Sequence, residues 1–184
     1  MENTELYHYG VKGMKWGVRR KKNRPNNNWA TTKLTNKIIS KRNESVELHK
    51  NDESSTAKLL GKIIPSIKEK QKLFRDYTIK SKTGETVGNM SINMNNKDVV
   101  NCVWIGINNK SGGKGYAQSA MRSVIDEVKK SGFKKMTLEV PTNSPNARHI
   151  YEKLGFKDTG EKMLGDADDI WGGLTRMELI LNRR

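Results

Sequence analysis

The stretch SGGKGYAQSAM, from Ser111 to Met121, constrains this chain more than any other part of its sequence. Three glycines and a lysine fall within five residues and lead without a break into helix-forming sequence. The first turn of a helix leaves backbone N–H groups without partners, and the helix dipole adds a partial positive charge there. Glycines let such a backbone approach an anion closely, so the stretch predicts a phosphate-binding loop. A flexible turn before an ordinary helix is the alternative.

The segments around this loop alternate between strand and helix patterns. Val99–Ile107 is almost continuously apolar, which predicts a strand in the centre of a sheet. Apolar residues at helical spacing predict a helix from about residue 117 to 130, which Gly132 ends. The same reasoning predicts a strand over 134–140, a short helix over 144–154 and a last strand over 175–181.

Three further elements are predicted before this region. Residues 44–50 could form a strand, and Asn51 or Asp52 can cap a following helix that Pro65 ends. Residues 75–94 alternate between apolar and polar side chains on either side of Lys82–Glu85, which predicts a β-hairpin with its turn at those four residues.

Composition restricts the classes of protein to be considered. No run of 18 apolar residues occurs, and the first ten residues lack the basic and apolar segments of a secretory signal. The one cysteine, Cys102, allows no internal disulfide and agrees with a reducing compartment. Three scattered histidines beside it give no metal-ligand spacing. We therefore expect a cytoplasmic protein with no metal and no membrane contact.

The positive charge is concentrated in an N-terminal arm. The chain has a net charge of +15, and residues 1–42 hold eleven Lys and Arg against two Glu, a net charge of +9. Such a run is usually a solvated tail, and nucleic-acid contact is the alternative. No helix–turn–helix or zinc pattern supports sequence-specific DNA reading. We expect a docking segment over 1–20, a basic linker over 21–43 and a folded domain over 44–184.

One part of the arm has an apolar pattern of its own. Apolar residues alternate with others on both sides of Lys12-Gly13, which predicts a small hairpin with one apolar face. An isolated hairpin is marginal in water, so this face needs a partner surface. The segment HYGVKGMKWGVRR also resembles a short motif of tailed-bacteriophage and prophage proteins, often structural ones. That resemblance implies a phage setting, a phage structural protein as partner and association with the virion.

The region from about residue 44 to 182 resembles the GNAT family of acetyl-CoA-dependent N-acetyltransferases. The glycine loop matches the family's phosphate loop, and NARHIYEKLGF (146–156) matches its helix that ends in a tyrosine and a Gly-Phe turn. The resemblance implies an α/β (α+β) fold with a mixed central sheet flanked by helices. It also implies acetyl-CoA as co-substrate and an amine as acceptor, either a protein lysine or N-terminus or a small amine.

The resemblance assigns the cofactor contacts residue by residue. Backbone N–H groups of the glycine loop are expected to bind the pyrophosphate, and the end of the central strand the pantetheine arm, in a sheet that opens after this strand. Gly112 departs from the Gln or Arg usual in the family, and Lys110 or Lys114 could replace that contact. The expected cofactor-binding residues are Ile105, Ile107, Gly112, Gly113, Lys114, Gly115, Tyr116, Ala117, Ser144 and Asn146.

The resemblance implies that Tyr151 is the general acid that protonates the departing thiolate, with packing under the cofactor as the alternative. The general base stays open. Some relatives use a glutamate on the central strand, where this chain has Asn101, and an amide cannot take a proton. Glu139 or Asp98 are the candidates, with Asp166, Asp168 and Asp169 of an acidic loop behind them. Cys102 is expected in the core and His149 on an exposed helix surface.

Two functions follow. The first is an active N-acetyltransferase with an appended docking arm. The second is a virion-associated or binding protein whose GNAT fold has lost turnover, which the departures at Gly112 and Asn101 would suit. Retention of Tyr151, Gly115 and Ala117 favours the enzyme.

Overall fold

The computed structural model describes residues 34–39, 45–51, 73–94, 96–163 and 172–181. Three predicted features lie outside these residues: the docking segment 1–20, the helix between Asp52 and Pro65, and the acidic loop at 166–169. Of the helices within the described residues, none is long and apolar enough to span a membrane.

The described residues form eight strands and two α-helices. The strands are β1 (Lys37–Ile39), β2 (Val46–Lys50), β3 (Phe74–Ser81), β4 (Thr86–Asn93), β5 (Val99–Ile107), β6 (Lys135–Pro141), β7 (Lys157–Met163) and β8 (Leu174–Ile180); the helices are α1 (Tyr116–Lys130) and α2 (Pro145–Lys153). The predicted strands at β2, β5, β6 and β8, the hairpin of β3 and β4, and both helices after the glycine loop are confirmed, with ends that differ by one or two residues.

All eight strands belong to one mixed sheet in the order β1-β2-β3-β4-β5-β6-β8-β7. Only β5 and β6 run parallel, and the other neighbouring pairs are antiparallel. A parallel pair needs a crossover connection, which α1 supplies. The β3–β4 turn closes where expected, with the Ser81 N–H donating to Glu85 O and Gly84 at φ 84°.

The sheet extends further at both edges than the sequence indicated. β1 lies inside the stretch expected to be a linker, where it pairs with β2, and Leu34 and Ile38 are buried. Leu34 and Ile38 therefore belong to the same hydrophobic core as the later strands, although the sequence placed them before the expected start of the domain at residue 44. β7 was not predicted, because its sequence KDTGEKM is polar on both faces and shows no apolar alternation. Short or polar edge strands give little periodicity to detect.

The core lies between the sheet and α1. The apolar side of the helix, formed by Ala120, Met121, Val124 and Val128, is fully buried, and the sulfurs of Met121 and Cys102 lie 3.9 Å apart. On β5, Val100 and Cys102 are buried while Asn101 between them is not fully buried. The opposite side of β5, β6 and β8 carries polar side chains, so the sheet has one apolar face and one polar face.

Candidate active site

The sheet opens between β5 and β6. These strands pair only over Val99–Cys102 and Lys135–Leu138, although β5 continues to Ile107. On the other side of β5, Ile92 pairs with Cys102 and Ser91 with Trp104, so Val103 is an extra residue. Such a bulge bends its strand. The predicted opening is therefore present, and we call the gap beyond Cys102 and Leu138 the cleft.

The backbone of Ile105 and Ile107 is directed into this cleft. The Asn108 N–H donates to Val87 O on β4 at 2.8 Å. Backbone groups of alternate residues in an antiparallel strand point to opposite sides, so residues 104 and 106 also face β4. Ile105 and Ile107 then direct their N–H and C=O groups away from β4, where β6 no longer pairs. This is the arrangement that the expected pantetheine contacts require.

The glycine loop presents unpaired N–H groups at the start of α1. Gly113 and Gly115 have φ angles of 73° and 77°, and Gly115 is the N-cap residue, with no side-chain cap. Within the described part of the chain, the N–H groups of Gly113, Lys114 and Gly115 donate no hydrogen bond. The first turn of the helix holds no acidic residue. Consecutive N–H groups in such turns form an anion-binding concavity.

The two left-handed glycines leave this concavity open. A Cβ added to Gly113 or Gly115 would meet no heavy atom within 4 Å, so only their backbone angles require glycine. Gly112 differs, because its φ of −60° suits any residue. Its backbone therefore does not explain why this chain lacks the family's Gln or Arg. Lys110 and Lys114 lie two residues before and two residues after Gly112, and both are exposed. Either lysine could therefore replace the side-chain contact that Gly112 lacks.

Tyr151 is held on α2 beside the closed end of the cleft. Its ring packs edge-on against Phe156, with centroids 5.9 Å apart. Burial, with a smaller contribution from nearby Cys102, raises the pKa of Tyr151 to about 12. This is above the ordinary value of about 10. The phenol therefore stays protonated at neutral pH and can donate a hydrogen bond.

Cys102 is a core residue, as expected. It is 4% exposed, and burial raises the pKa of its thiol to about 12. A reactive cysteine needs a thiolate and access to solvent, and Cys102 has neither.

Glu139 lies at the point where the sheet opens. It directly follows Leu138, the last residue of β6 that pairs with β5. Its carboxylate accepts hydrogen bonds from Asn101 Nδ2 at 3.2 and 3.3 Å and from Arg176 Nε at 3.1 Å. The amide on the central strand thus contacts a carboxylate on the next strand. Glu139 thus lies beside Asn101 at the opening of the sheet, and its role as the general base stays a prediction.

Asp98 lies away from Glu139 and from the opening of the sheet. It precedes β5 and forms an ion pair with Lys134 at 3.3 Å. Four residue steps along the strand, about 13 Å at 3.3 Å per residue, separate it from Cys102. Asp98 therefore lies at the far end of the paired segment from the cleft, which favours Glu139 of the two candidate bases, and the assignment of the base stays a prediction.

The remaining predicted contacts lie at the start of α2, which follows β6. Ser144 is the N-cap residue and its side chain makes no capping hydrogen bond, whereas its N–H donates to Pro141 O at 3.0 Å. Asn146 and His149 are exposed on the helix. Ser144 and Asn146 are therefore near the end of β6 that borders the cleft, with side chains that are available to a ligand.

Sequence reasoning missed the polar cavity next to Glu139. Ten residues between Asn93 and Glu178 line an open cavity of about 520 Å³: Asn93, Asn96, Val99, Asn101, Lys135, Thr137, Thr159, Glu161, Arg176 and Glu178. The alternation in TRMELIL places Arg176 and Glu178 opposite buried Met177, which was a usable signal. No sequence signal pointed to Glu161, because its strand, β7, was not predicted.

Two amide oxygens at this cavity have no hydrogen-bond donor. They are Asn93 Oδ1 and Asn101 Oδ1, both buried. A buried acceptor without a partner costs about 1–3 kcal/mol. Asn101 cannot be turned to relieve this, because both carboxylate oxygens of Glu139 require its NH₂ group. Within the described residues, no group of three or more His, Cys, Asp or Glu could hold a metal ion.

Comparison with known families decides the identity of this arrangement. The profile of the acetyltransferase (GNAT) family matches residues 47–156. The chain belongs to the GNAT family. Members of this family use acetyl-CoA as co-substrate. Residues 2–23 match a separate family of unknown function, DUF7211.

Individual relatives are distant. The uncharacterized N-acetyltransferase YycN of Bacillus subtilis (strain 168) is 29% identical over 85 residues, which cover 38% of this chain and 54% of YycN. The chain thus spans about half the length of that relative. Spermidine N-acetyltransferase from Vibrio cholerae in complex with CoA and spermine superposes with a TM-score of 0.58 at 16% identity, over 74% of this chain and 96% of that one.

Mutant forms of the Vibrio cholerae spermidine/spermine N-acetyltransferase SpeG give a TM-score of 0.57 at 15% identity, over 74% and 94% of the two chains. At this identity, the structural matches establish the GNAT fold of the described domain and no more.

Proposed function

We propose that this protein is an acetyl-CoA-dependent N-acetyltransferase. The observation that carries the proposal is the continuity of three features along one segment. The unpaired end of β5 borders the cleft, the glycine loop follows with free N–H groups, and α1 begins directly after it. A cofactor with a pyrophosphate and a long amide-containing arm can be held along its whole length by such a segment.

The chain's own residues fit this cofactor. The N–H groups of Gly113, Lys114 and Gly115, with the first turn at Tyr116 and Ala117, would hold the pyrophosphate. The Ile105 and Ile107 backbone would bond the pantetheine amides, and Ser144 and Asn146 border the same cleft. Bound there, the cofactor supplies an activated acetyl thioester.

Two side chains flank the place where that thioester would lie. The Glu139 carboxylate can accept the proton that the attacking amine loses when the N–C bond forms and the C–S bond breaks. Tyr151 can donate its hydroxyl hydrogen to the departing sulfur. With a pKa of about 12, against about 8.5 for a thiol, this phenol acts chiefly as a hydrogen-bond donor. In this proposal Tyr151 therefore stabilises the departing thiolate by a hydrogen bond.

The acceptor in this proposal is an amine that carries positive charge before it reacts. The polar face beside Glu139 is charge-balanced, since Lys135 and Arg176 pair with its carboxylates, and therefore does not choose the acceptor. The Vibrio cholerae structures are of spermidine and spermidine/spermine N-acetyltransferases, and this similarity favours a cationic amine over a neutral or acidic acceptor.

The test is incubation of the full chain with acetyl-CoA and a panel of small amines, peptides and phage proteins. Release of free thiol should accompany a gain of one acetyl group on the acceptor in the mass spectrum. If the protein binds acetyl-CoA but transfers to no amine, the inactive GNAT-fold binding protein becomes the correct description.

For the N-terminal arm we propose a docking role in a phage or prophage setting. Support comes from the separate family match over residues 2–23, which does not overlap the GNAT match over residues 47–156. Its alternating apolar residues suit a partner surface, here a phage structural protein. Trp16 is the proposed anchor, because buried aromatic residues commonly dominate small interfaces.

Removal of residues 1–28 should leave acetyl-CoA affinity unchanged and abolish co-purification with phage heads. Trp16→Ala should cause most of the same loss, whereas Arg19→Glu with Arg20→Glu should mainly alter the salt dependence. Equal recovery of full-length and truncated protein in purified particles would rule out docking.

A further inference from the structure

Two large apolar side chains lie next to each other on β5, just beyond the point where the sheet opens. Val103 is 52% exposed and Trp104 is 60% exposed. Among the described residues, the other exposed large apolar side chains lie singly on different strands: Ile39, Phe74 and Ile180. Single exposed apolar residues are ordinary, whereas adjacent ones beside a site indicate a binding surface. We call Val103 and Trp104 the apolar patch.

Val103 lies beside Glu139 on the polar face. The last paired residues of β5 and β6 are Cys102 and Leu138, so the next residue of each strand is at the same level of the sheet. Glu139 is directed to the polar face, where it contacts Asn101. Val103 follows Asn101 by two positions and shares its face, because side chains two positions apart in a strand point the same way.

Trp104 points to the same face because of the bulge. It pairs with Ser91, which lies on β4 between the buried residues Met90 and Ile92. Ser91 therefore faces away from the core, and so does Trp104, because directly paired residues share a face of the sheet. The extra residue in β5 thus gives two consecutive apolar side chains on one face. Bulges next to active sites commonly redirect side chains in this way.

The Trp104 indole lies over Gly106 and not away from the sheet. A Cβ added to Gly106 would lie 2.7 Å from Trp104 Cζ2, and the three atoms nearest to that Cβ all belong to the indole. Two carbon atoms pack at about 3.5–4.0 Å, so the ring fills the space that a larger residue at position 106 would need. The indole therefore extends along the open half of β5.

The apolar patch lies on the side of the opening from which an acceptor would arrive. Glu139 contacts Asn101 on the polar face, whereas Tyr151 is close to the buried Cys102 on the apolar face. In the proposed reaction the acetyl thioester lies between Glu139 and Tyr151. An amine that gives its proton to Glu139 therefore approaches from the polar face and passes the patch.

The charged side chains of this face are already paired with one another. Lys135 contacts Glu178 at 2.9 Å, and Arg176 contacts Glu139 at 3.1 Å and Glu161 at 2.7 Å. A second charge on the acceptor would therefore find these partners engaged. Covering the apolar patch, in contrast, removes apolar surface from water and favours a ligand that has an apolar group.

We infer that Trp104 selects the acceptor by contact with an apolar group next to the amine. The reacting nitrogen lies at Glu139, so the rest of a small acceptor covers the indole, where a flat ring can stack. Val103 contacts the carbon chain between the nitrogen and the ring. The acceptor is thus a small primary amine that carries a ring on a short carbon chain. The inference rests on the proposed N-acetyltransferase function and adds to it a specificity-determining residue.

The test compares 2-phenylethylamine with ethylamine, which has the same aminoethyl group and no ring. With the full-length protein and acetyl-CoA, kcat/KM should be at least about 10-fold higher for 2-phenylethylamine, the effect of covering part of one ring by another. We call the quotient of the two kcat/KM values the ring preference. It cancels any change that affects both amines equally.

Two substitutions at position 104 distinguish recognition from a structural role. Trp104→Ala should lower the ring preference to about 2-fold or less, chiefly by raising KM for 2-phenylethylamine. Trp104→Phe keeps a ring at this position and should retain part of the preference. Acetyl-CoA affinity, measured by calorimetry, should be the same in both variants and in the wild type, which shows that the cleft is intact.

Gly106→Ala tests the position of the indole without removing it. The added Cβ meets only the Trp104 ring at close range, so the ring must move and the ring preference should fall. Ile39→Ala is the matched control, because Ile39 is 55% exposed on β1 at the edge of the sheet. It should leave the ring preference unchanged.

Equal kcat/KM for the two amines, or a ring preference that survives Trp104→Ala, would overturn the inference and leave N-acetyltransferase function intact. A higher kcat/KM for 1,4-diaminobutane than for 2-phenylethylamine would also overturn it, because charge would then select the acceptor. Absence of thiol release with every amine would contradict the proposed function instead. Titration of 2-phenylethylamine into the wild type and Trp104→Ala, each saturated with CoA, would still decide whether the patch binds the ring.

Discussion

The two halves of β5 have similarly apolar sequences but differ in strand pairing and in exposure. Val99–Cys102 pairs with β6, and its last two residues, Asn101 and Cys102, also pair with β4, whereas Trp104–Ile107 pairs with β4 alone. Cys102 is 4% exposed and its neighbour Val103 is 52% exposed. The first half holds the sheet together under α1, and the second half offers its backbone to the cleft.

The bulge at Val103 explains how one strand can hold the sheet together and also offer its backbone to the cleft. It adds one residue opposite β4, so the strand bends where pairing with β6 ends. Every backbone group of a flat central strand would be used in the sheet. The binding edge in this protein exists because the strand leaves one neighbour after four residues.

The largest expected effect concerns the alkylation rates of two thiols, one at residue 102 and one at residue 103, on either side of the point where β5 leaves β6. Cys102 should react with iodoacetamide at pH 8 at least about 1,000-fold more slowly than a free thiol, because its pKa of about 12 exceeds the ordinary value of about 8.5 by more than 3 units. Val103→Cys in a Cys102→Ala background should react at nearly the free rate. Similar rates for the two proteins would show that β5 is open or closed along its whole length.

The second prediction concerns the loop that follows the open half. Gly115→Asp should weaken acetyl-CoA binding at least about 100-fold, because it strains a left-handed backbone and places a carboxylate where two or more charge-assisted hydrogen bonds form, each of about 1.5–3 kcal/mol. Calorimetry measures this.

Gly84→Asp is the matched control, since Gly84 has φ 84° and, like Gly115, no atom within 4 Å of an added Cβ. It should carry the same strain and leave affinity unchanged. Unchanged affinity in a folded Gly115→Asp protein would remove the pyrophosphate from this loop.

The sequence predicted the loop well because its signal is local. Glycines at positive φ, a helix start without an acidic residue and a preceding apolar strand are all written in consecutive residues, 99 to 130. The hairpin turn at Gly84 was predictable for the same reason. The order of these elements also sufficed to indicate the fold class.

Features that depend on several strands could not be predicted in this way. VVNC and VWIGI are both apolar, so nothing in β5 alone marks where β6 leaves it. The contact of Asn101 with Glu139 joins residues 38 positions apart. Arg176 and Glu161 meet through β7 and β8, and recognition of that pair required an edge strand that has no apolar periodicity.

The third prediction concerns the side chain beside the open half. Tyr151→Phe should leave acetyl-CoA affinity within a few-fold and lower kcat about 100-fold, the usual loss when one donor to a developing anion is removed. Tyr77→Phe is the control. The Tyr77 hydroxyl bonds Thr35 O at 3.0 Å, away from the cleft, so its loss should lower stability and leave kcat unchanged. An unaltered kcat for Tyr151→Phe would assign the tyrosine to packing alone.

The smallest expected effect is a dependence of stability on alkaline pH, and it tests whether the phenol beside the cleft is as dry as a phenol in the core of the sheet. Burial raises the pKa of both Tyr77 and Tyr151 to about 12. Stability contributed by a group with a raised pKa is present below its unfolded value, about 10, and is lost as pH rises toward 12. The free energy of unfolding should therefore fall by about 1.4 kcal/mol per tyrosine by pH 11. Denaturant unfolding of Tyr77→Phe and Tyr151→Phe between pH 9 and 11 should each show the wild-type loss reduced by one such step. A reduction only in Tyr77→Phe would mean that the phenol beside the cleft is hydrated, and the opening of the sheet beyond Cys102 would then extend to the side of α2 that carries Tyr151.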